Sequence, residues 1–215
     1  MRLDINDSVN FYSRNSIIRK ADNIARYTNE LYPRVSGTKV YSLSHYSYLY
    51  RLRNHHKKIN AIRDLSEKIY NCKKSNFHKC VSIIEGIKKY KVGNCGESAF
   101  LARIIAECNG IKNTKIAYLE YIIQDFDHYV VYVNDKKPYI IDSWLGFADY
   151  VPKALKKYCG EYRNFTLEDD VLNDSWLDFR TTTKNHVTHS RMRFSDKLIS
   201  QLIEKYPELL LKKSK

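Results

Sequence analysis

The stretch GNCGESAFLARIIAECNG, residues 93–110, decides how this chain is built. Asn94 reads as a helix N-cap: strong helix formers follow from Cys95 to Asn109, and Glu97 stands three positions on, where a capping box requires it. Cys95 then occupies the first helical turn, where unpaired backbone N–H groups and the positive end of the helix dipole favour a thiolate over a thiol. Asn109-Gly110 supplies a left-handed stop. Ala99, Phe100, Leu101, Ala102, Ile104, Ile105, Ala106 and Cys108 cover most of the circumference, so the helix is expected to be central and buried. Glu97, Arg103 and Glu107 are left to find water or partners. Ala99, Ala102 and Ala106 share the face of Cys95, and small side chains there let a sheet approach closely.

Three strands are expected downstream, at Lys115–Gln124, Asp127–Val133 and Lys137–Asp142, each rich in tyrosine, valine and isoleucine and bounded by Asp, Asn and Lys turns. Read as an antiparallel meander with an odd-numbered hairpin loop centred on Asp135, they set His128 opposite Asp142 on one face of the sheet. Val130, Tyr132 and Ile140 share that face; Tyr129, Val131, Val133, Tyr139 and Ile141 line the other. An even loop would send Asp142 to the far side. A thiol, an imidazole and a carboxylate, each where a regular element begins or ends, are the parts of a nucleophilic cysteine site. Taken singly, each has a plainer reading: a core thiol, a satisfied strand histidine, an aspartate capping a turn.

The order of a cysteine at a helix start, a histidine on one strand and an aspartate ending the next, with G-N-C-G-E at 93–97 and D-S-W-L-G at 142–146, resembles the transglutaminase-like and papain-like superfamily of cysteine enzymes. It is closest to the transglutaminase-like branch, several of whose members are bacterial effectors. The resemblance spans Gly93–Gly146, about a quarter of the chain. It implies a papain-like or transglutaminase-like α+β fold, with Cys95 as nucleophile, His128 as general base and then acid, and Asp142 orienting the imidazole. Acyl transfer from a protein amide follows: hydrolysis, glutamine deamidation or crosslinking to a lysine. The Cys95 N–H would hold the oxyanion, with a second donor from the segment before the helix. Asn94, Gly96 and Trp144 are the candidate substrate-binding residues, although capping is expected to occupy Asn94. The chain departs from the papain signature in lacking a second cysteine and an aromatic after the nucleophile. Its third member is Asp rather than Asn, and Ser143 stands where related sequences often carry proline.

At 215 residues the chain can bury a full core, and one domain over 1–215 is expected: a basic helical portion at 1–91, a catalytic core at 92–150, and C-terminal helices and loops at 151–215. No run approaches the roughly 20 apolar residues that span a bilayer. Five cysteines without regular spacing argue for a reducing compartment, hence the cytoplasm. The first residues lack the apolar core of a secretory leader, so entry into a host cell would use another route. Net charge is +13, with twelve Lys or Arg against three acids between Arg51 and Lys91. That balance suits an acidic protein or an anionic membrane surface. Nucleic acid fits less well, since no recognised module is visible. A basic binding module with an inert triad is therefore the rival reading. No cofactor is expected. Cys72, His78 and Cys80 match no common zinc spacing, His186 and His189 stand in a loop-like stretch, and no Gly-rich phosphate loop is present.

Helical spacing predicts elements over Ser16–Leu31, Asn60–Tyr70 and Phe77–Ile87, packed around the central helix. The tyrosine-rich TKVYSLSHYSYLYRLR at 38–53 fits strand and loop equally. Beyond the sheet come a short helix within Asp149–Gly160, a loop-rich Glu161–His189, and a last helix from Ser195 that Pro207 interrupts.

Overall fold

The computed structural model describes residues 5–32, 54–64, 75–121, 126–158, 165–166 and 192–211. Helix α1 (Ile5–Leu31), a helix α2 over 54–64, α3 (Asn76–Tyr90) and α4 (Cys95–Cys108) precede the strands β1 (Thr114–Tyr121), β2 (Phe126–Val133), β3 (Tyr139–Asp142) and β4 (Phe147–Tyr150). Helix α5 (Val151–Tyr158), a two-residue strand β5 (Phe165–Thr166), α6 (Asp196–Lys205) and a 3-10 turn (Pro207–Leu209) follow. The strands form one antiparallel sheet in the order β4-β3-β2-β1-β5. The architecture is α+β, with helices packed on an antiparallel sheet.

Helix α4 is the hub, as its all-round apolar pattern requires. Phe100, Leu101, Ala102, Ile104, Ile105 and Ala106 are each 0–1 % exposed. They pack with Ile24 of α1, Ile59 and Ile62 of α2, Ile84 and Ile87 of α3, and Val131, Val133 and Ile141 of the sheet. The charged residues on so buried a helix must be paired. Arg103 donates from Nε to Thr114 Oγ1 at 3.1 Å and from Nη2 to the Met192 carbonyl at 2.8 Å, while Thr114 donates its hydroxyl to Glu107. These bonds join the helix to the first residue of β1 and to the segment entering α6. Gly110, at φ +79°, ends the helix, as the Asn109-Gly110 pair predicts.

Several boundaries move, each for a physical reason. Helix α1 begins at Ile5 rather than Ser16, because residues 5–15 hold neither Gly nor Pro, and extending a formed helix costs little. Helix α2 begins at 54 rather than 60: its buried stripe is His55, Ile59 and Ile62, and the first position is a histidine standing where an apolar residue would be counted. Pro138 has no N–H to give a ladder, so β3 starts at Tyr139. Strand β4 is absent from the sequence reading. Gly146, at φ +76°, lets the chain turn back after Asp142 so that Phe147–Tyr150 pairs with β3. Within the segment read as loop, Phe165–Thr166 pairs with β1. The 38–53 stretch, Cys72, His186 and His189 lie outside the described residues.

Ser195 caps α6 by accepting the Leu198 N–H at 3.2 Å, and Pro207 converts the chain after Tyr206 to a 3-10 turn. That turn is tied back to the body: Tyr27 donates to the Glu208 carbonyl at 2.6 Å, Tyr32 to Glu208 Oε1 at 2.8 Å, and Tyr206 to Glu85 Oε1 at 2.6 Å. Helix α1 also braces β4, where the Ala148 N–H donates to Asp22 Oδ1 at 3.2 Å. No helix among the described residues is long and apolar enough to cross a membrane.

Candidate active site

The parity of the β2–β3 hairpin determines whether His128 and Asp142 can meet, and it is the odd one. The last ladder pair is Val133–Tyr139, enclosing a five-residue loop, and Val131 pairs with Ile141. The centre lies one residue beyond Asp135, so His128 and Asp142 are diagonal neighbours rather than directly opposed. The one-residue shift follows from Pro138, which keeps residues 137 and 138 out of the ladder. A diagonal pair keeps both side chains on one face, within reach of a histidine. His128 Nε2 donates to Asp142 Oδ2 at 2.7 Å, with the two side chains 4 % and 0 % exposed. The face assignments hold: Val131, Val133, Tyr139 and Ile141 join the main core with Tyr129 packed on it, whereas the buried Val130, Tyr132 and Ile140 do not.

His128 stands three residues before Val131, the outermost β2 residue paired with β3, and Cys95 lies near enough to support the charged ring. Nε2 is committed to Asp142, which leaves Nδ1 as the ring nitrogen on the other side. Burial alone would disfavour a charged ring. The bonds to Asp142 and Cys95, with the electrostatic attraction of both, outweigh it and push His128 up to about 9. The imidazolium form is therefore favoured at neutral pH.

Asp142 does more than hold the ring. Its Oδ1 accepts the N–H groups of Trp144 and Leu145, both at 2.9 Å, and its carbonyl accepts Gly146 N–H at 2.8 Å. The D-S-W-L-G turn thus folds around the carboxylate that faces His128. Ser143 donates its hydroxyl to the Ser98 carbonyl at 2.9 Å, and Asn29 donates to the Ser143 carbonyl, binding the turn to α4 and α1. Trp144 is half-buried, and Leu145 projects with 57 % of its surface exposed.

At the start of α4, Asn94, Cys95 and Gly96 form a half-exposed strip between buried Gly93 and Glu97. The first intrahelical bond is Ser98 N–H to the Asn94 carbonyl at 2.9 Å, so the Cys95 N–H belongs to the turn without helical partners. The Glu97 half of the capping box is the firmer: Asn94 N–H donates to Glu97 Oε2 at 2.9 Å. The other half is present too: the Asn94 side chain accepts from the Glu97 backbone N–H, and its Oδ1 lies 2.9 Å from His55 Nε2. Capping therefore engages both the backbone and the side chain of Asn94, as its position in the sequence predicts.

Two residues missed in the sequence come from α2. Arg63 Nε donates to Glu97 Oε1 at 2.9 Å, and His55 holds Asn94. Burial would raise the Glu97 carboxyl, but the Arg63 charge and its bond, with backbone N–H groups, hold it below the usual range. Of sequence signals, only the spacing of His55 with Ile59 and Ile62 pointed here.

The other described cysteines are buried, whereas Cys95 is half-exposed. Burial pushes the Cys80 thiol far up, and burial with the Glu107 charge pushes Cys108 up to about 12. Cys80 donates to Met192 Sδ, and His78 Nδ1 pairs with Ser75 on the surface. Among the described residues, no group of three or more His, Cys, Asp or Glu could hold a metal ion. In comparison with known proteins, no protein-family model, no curated protein and no solved structure matches the chain.

Proposed function

We propose that the protein is a thiol-dependent acyltransferase or hydrolase acting on a protein amide, with Cys95, His128 and Asp142 as its triad, akin to the transglutaminase-like branch of the papain-like enzymes. The observation that carries this reading is the buried His128 ring held by Asp142, Nε2 to Oδ2 at 2.7 Å, with Cys95 near enough to help hold its proton. A basic imidazole that takes the thiol proton leaves a thiolate at the half-exposed start of a buried helix. The sulfur attacks the amide carbonyl, the Cys95 N–H donates to the oxyanion, and His128 returns the proton to the departing amine. Water or a second amine then takes the acyl group from the thioester. The net charge of +13 favours a substrate with an acidic surface.

The test is intact-mass analysis of acidic candidate proteins after incubation. A gain of about one mass unit marks deamidation, loss of ammonia with crosslinking marks transfer to an amine, and a cut marks proteolysis. Cys95→Ala and His128→Ala are each expected to abolish the change without loss of fold. Turnover surviving in either variant refutes the mechanism.

A further inference from the structure

His55 is 4 % exposed, yet only one of its ring nitrogens has a partner among the described residues: Nε2 bonds Asn94, while the buried Nδ1 has none. An unpartnered buried acceptor is destabilising, a cost that a leucine at the same position on the stripe with Ile59 and Ile62 would not incur. A buried N–H without a partner is rarer than a buried acceptor without one, so the proton belongs on Nε2, donated to Asn94 Oδ1. That choice also sets the Asn94 amide. Its oxygen faces the donor-rich start of α4, where an –NH2 group would meet the N–H groups and the positive end of the dipole.

The remaining groups of Asn94 are then accounted for. Its backbone N–H is held by Glu97, its carbonyl by Ser98 and its Oδ1 by His55. Only the Nδ2 donor remains, on a half-exposed residue whose neighbour is Cys95. The helix that supplies His55 also supplies Arg63 to Glu97, so α2 clamps the first turn of α4 at both ends.

We infer that His55 is a positioning residue: by donating to Asn94 Oδ1 it turns the Asn94 carboxamide so that Nδ2, beside the Cys95 N–H, is the second donor to the carbonyl oxygen of the reacting acyl group. The inference rests on Cys95 being the nucleophile. It supplies the donor that the sequence leaves unassigned.

The test separates two reactions of one thiol in the full chain. In acylation by p-nitrophenyl acetate the sulfur–carbon bond forms, an oxyanion develops, and p-nitrophenolate leaves. In alkylation by iodoacetamide the sulfur displaces iodide and no oxyanion forms. Asn94→Ser keeps a capping oxygen and removes the amide donor; it is expected to slow acylation by about 10²-fold and to change alkylation by less than about threefold. His55→Leu is expected to slow acylation at least about tenfold, again sparing alkylation, and His55→Gln, whose amide can donate from the Nε2 position, to recover most of the loss. Parallel changes in both reactions, or no change in either variant, overturn the role of His55 and Asn94 while leaving the triad standing. A wild-type protein with neither a p-nitrophenolate burst at Cys95 nor rapid alkylation there overturns the nucleophile reading itself.

Discussion

Replacing Asp142 by Asn tests the electrostatics of the site at one atom. The side chain is fully buried, and its Oδ1 already serves two donors, the N–H groups of Trp144 and Leu145. In Asp142→Asn the amide oxygen must stay with those two N–H groups, so the –NH2 turns toward His128 Nε2. That nitrogen can then only accept, and the ring proton moves to Nδ1, against the thiol. The charge effect runs the same way. Burial is the largest influence on His128 and lowers it; the Asp142 bond and charge do most to overcome it. Without them the ring should titrate well below about 9, back toward its ordinary 6.5, with only Cys95 left to oppose burial. That gap is worth on the order of 3 kcal/mol at about 1.4 kcal/mol per unit. At pH 7.5 the protonated fraction should fall from nearly all to roughly a tenth at the ordinary value. Long-range proton–nitrogen NMR of the ring between pH 5 and 10 reads both the titration and the tautomer. Since the folded value lies above the unfolded one, this group's stabilisation is complete below about 6.5 and lost as pH rises through about 9. The stability difference between wild type and variant in urea should therefore shrink over that window. A variant ring still titrating near 9, with its proton on Nε2, would refute the reasoning.

Near neutral pH, iodoacetamide is expected to modify Cys95 while Cys80 and Cys108 react only in denaturant, because burial keeps those two as thiols; peptide mapping that finds equal labelling of the three in the folded protein counts against an activated Cys95. Arg63→Met strands the buried Glu97 carboxylate and should cost about 2 kcal/mol in urea unfolding, discounted because Arg63 is 31 % exposed. The same pair stabilises above the ordinary carboxylate value and loses its effect as pH falls through the lowered Glu97 value, so the wild type should lose its advantage over Arg63→Met in acid; an advantage unchanged by acid would exclude this pair as its source. Gly86→Ala places a Cβ 3.0 Å from Ile62 Cγ1, pushing α2 from α3. It should cost about 1–3 kcal/mol and, through displaced His55 and Arg63, slow Cys95 acylation; an unfolding midpoint and burst rate equal to wild type would show that α2 does not clamp the site.

Helix α4 was legible because its signals are local. A capping box, a run of apolar residues and a terminal Asn-Gly depend on neighbours within a few positions, and Cys95 inherits its place from them. The parity that unites His128 and Asp142 was legible as a condition, an odd loop, but its size was not: Pro138 removed a ladder donor and moved the centre by one residue. Strand β4 escaped notice because four residues, FADY, carry too little alternation, and their pairing depends on the turn that Gly146 permits.

His55 and Arg63 were illegible for a different reason. In the sequence they belong to a basic stretch whose charge reads as a surface for an acidic partner. Packing of Ile59 and Ile62 against the core brings them to the capping residues of α4, thirty-nine and thirty-four positions away respectively. The sequence by itself determined that Cys95 begins a buried, capped helix and that an imidazole and a carboxylate follow on adjacent strands, because helix caps and strand alternation are short-range chemistry. Only the tertiary structure decided which side chains hold that helix start in place, because those contacts exist once distant apolar stripes have been buried together.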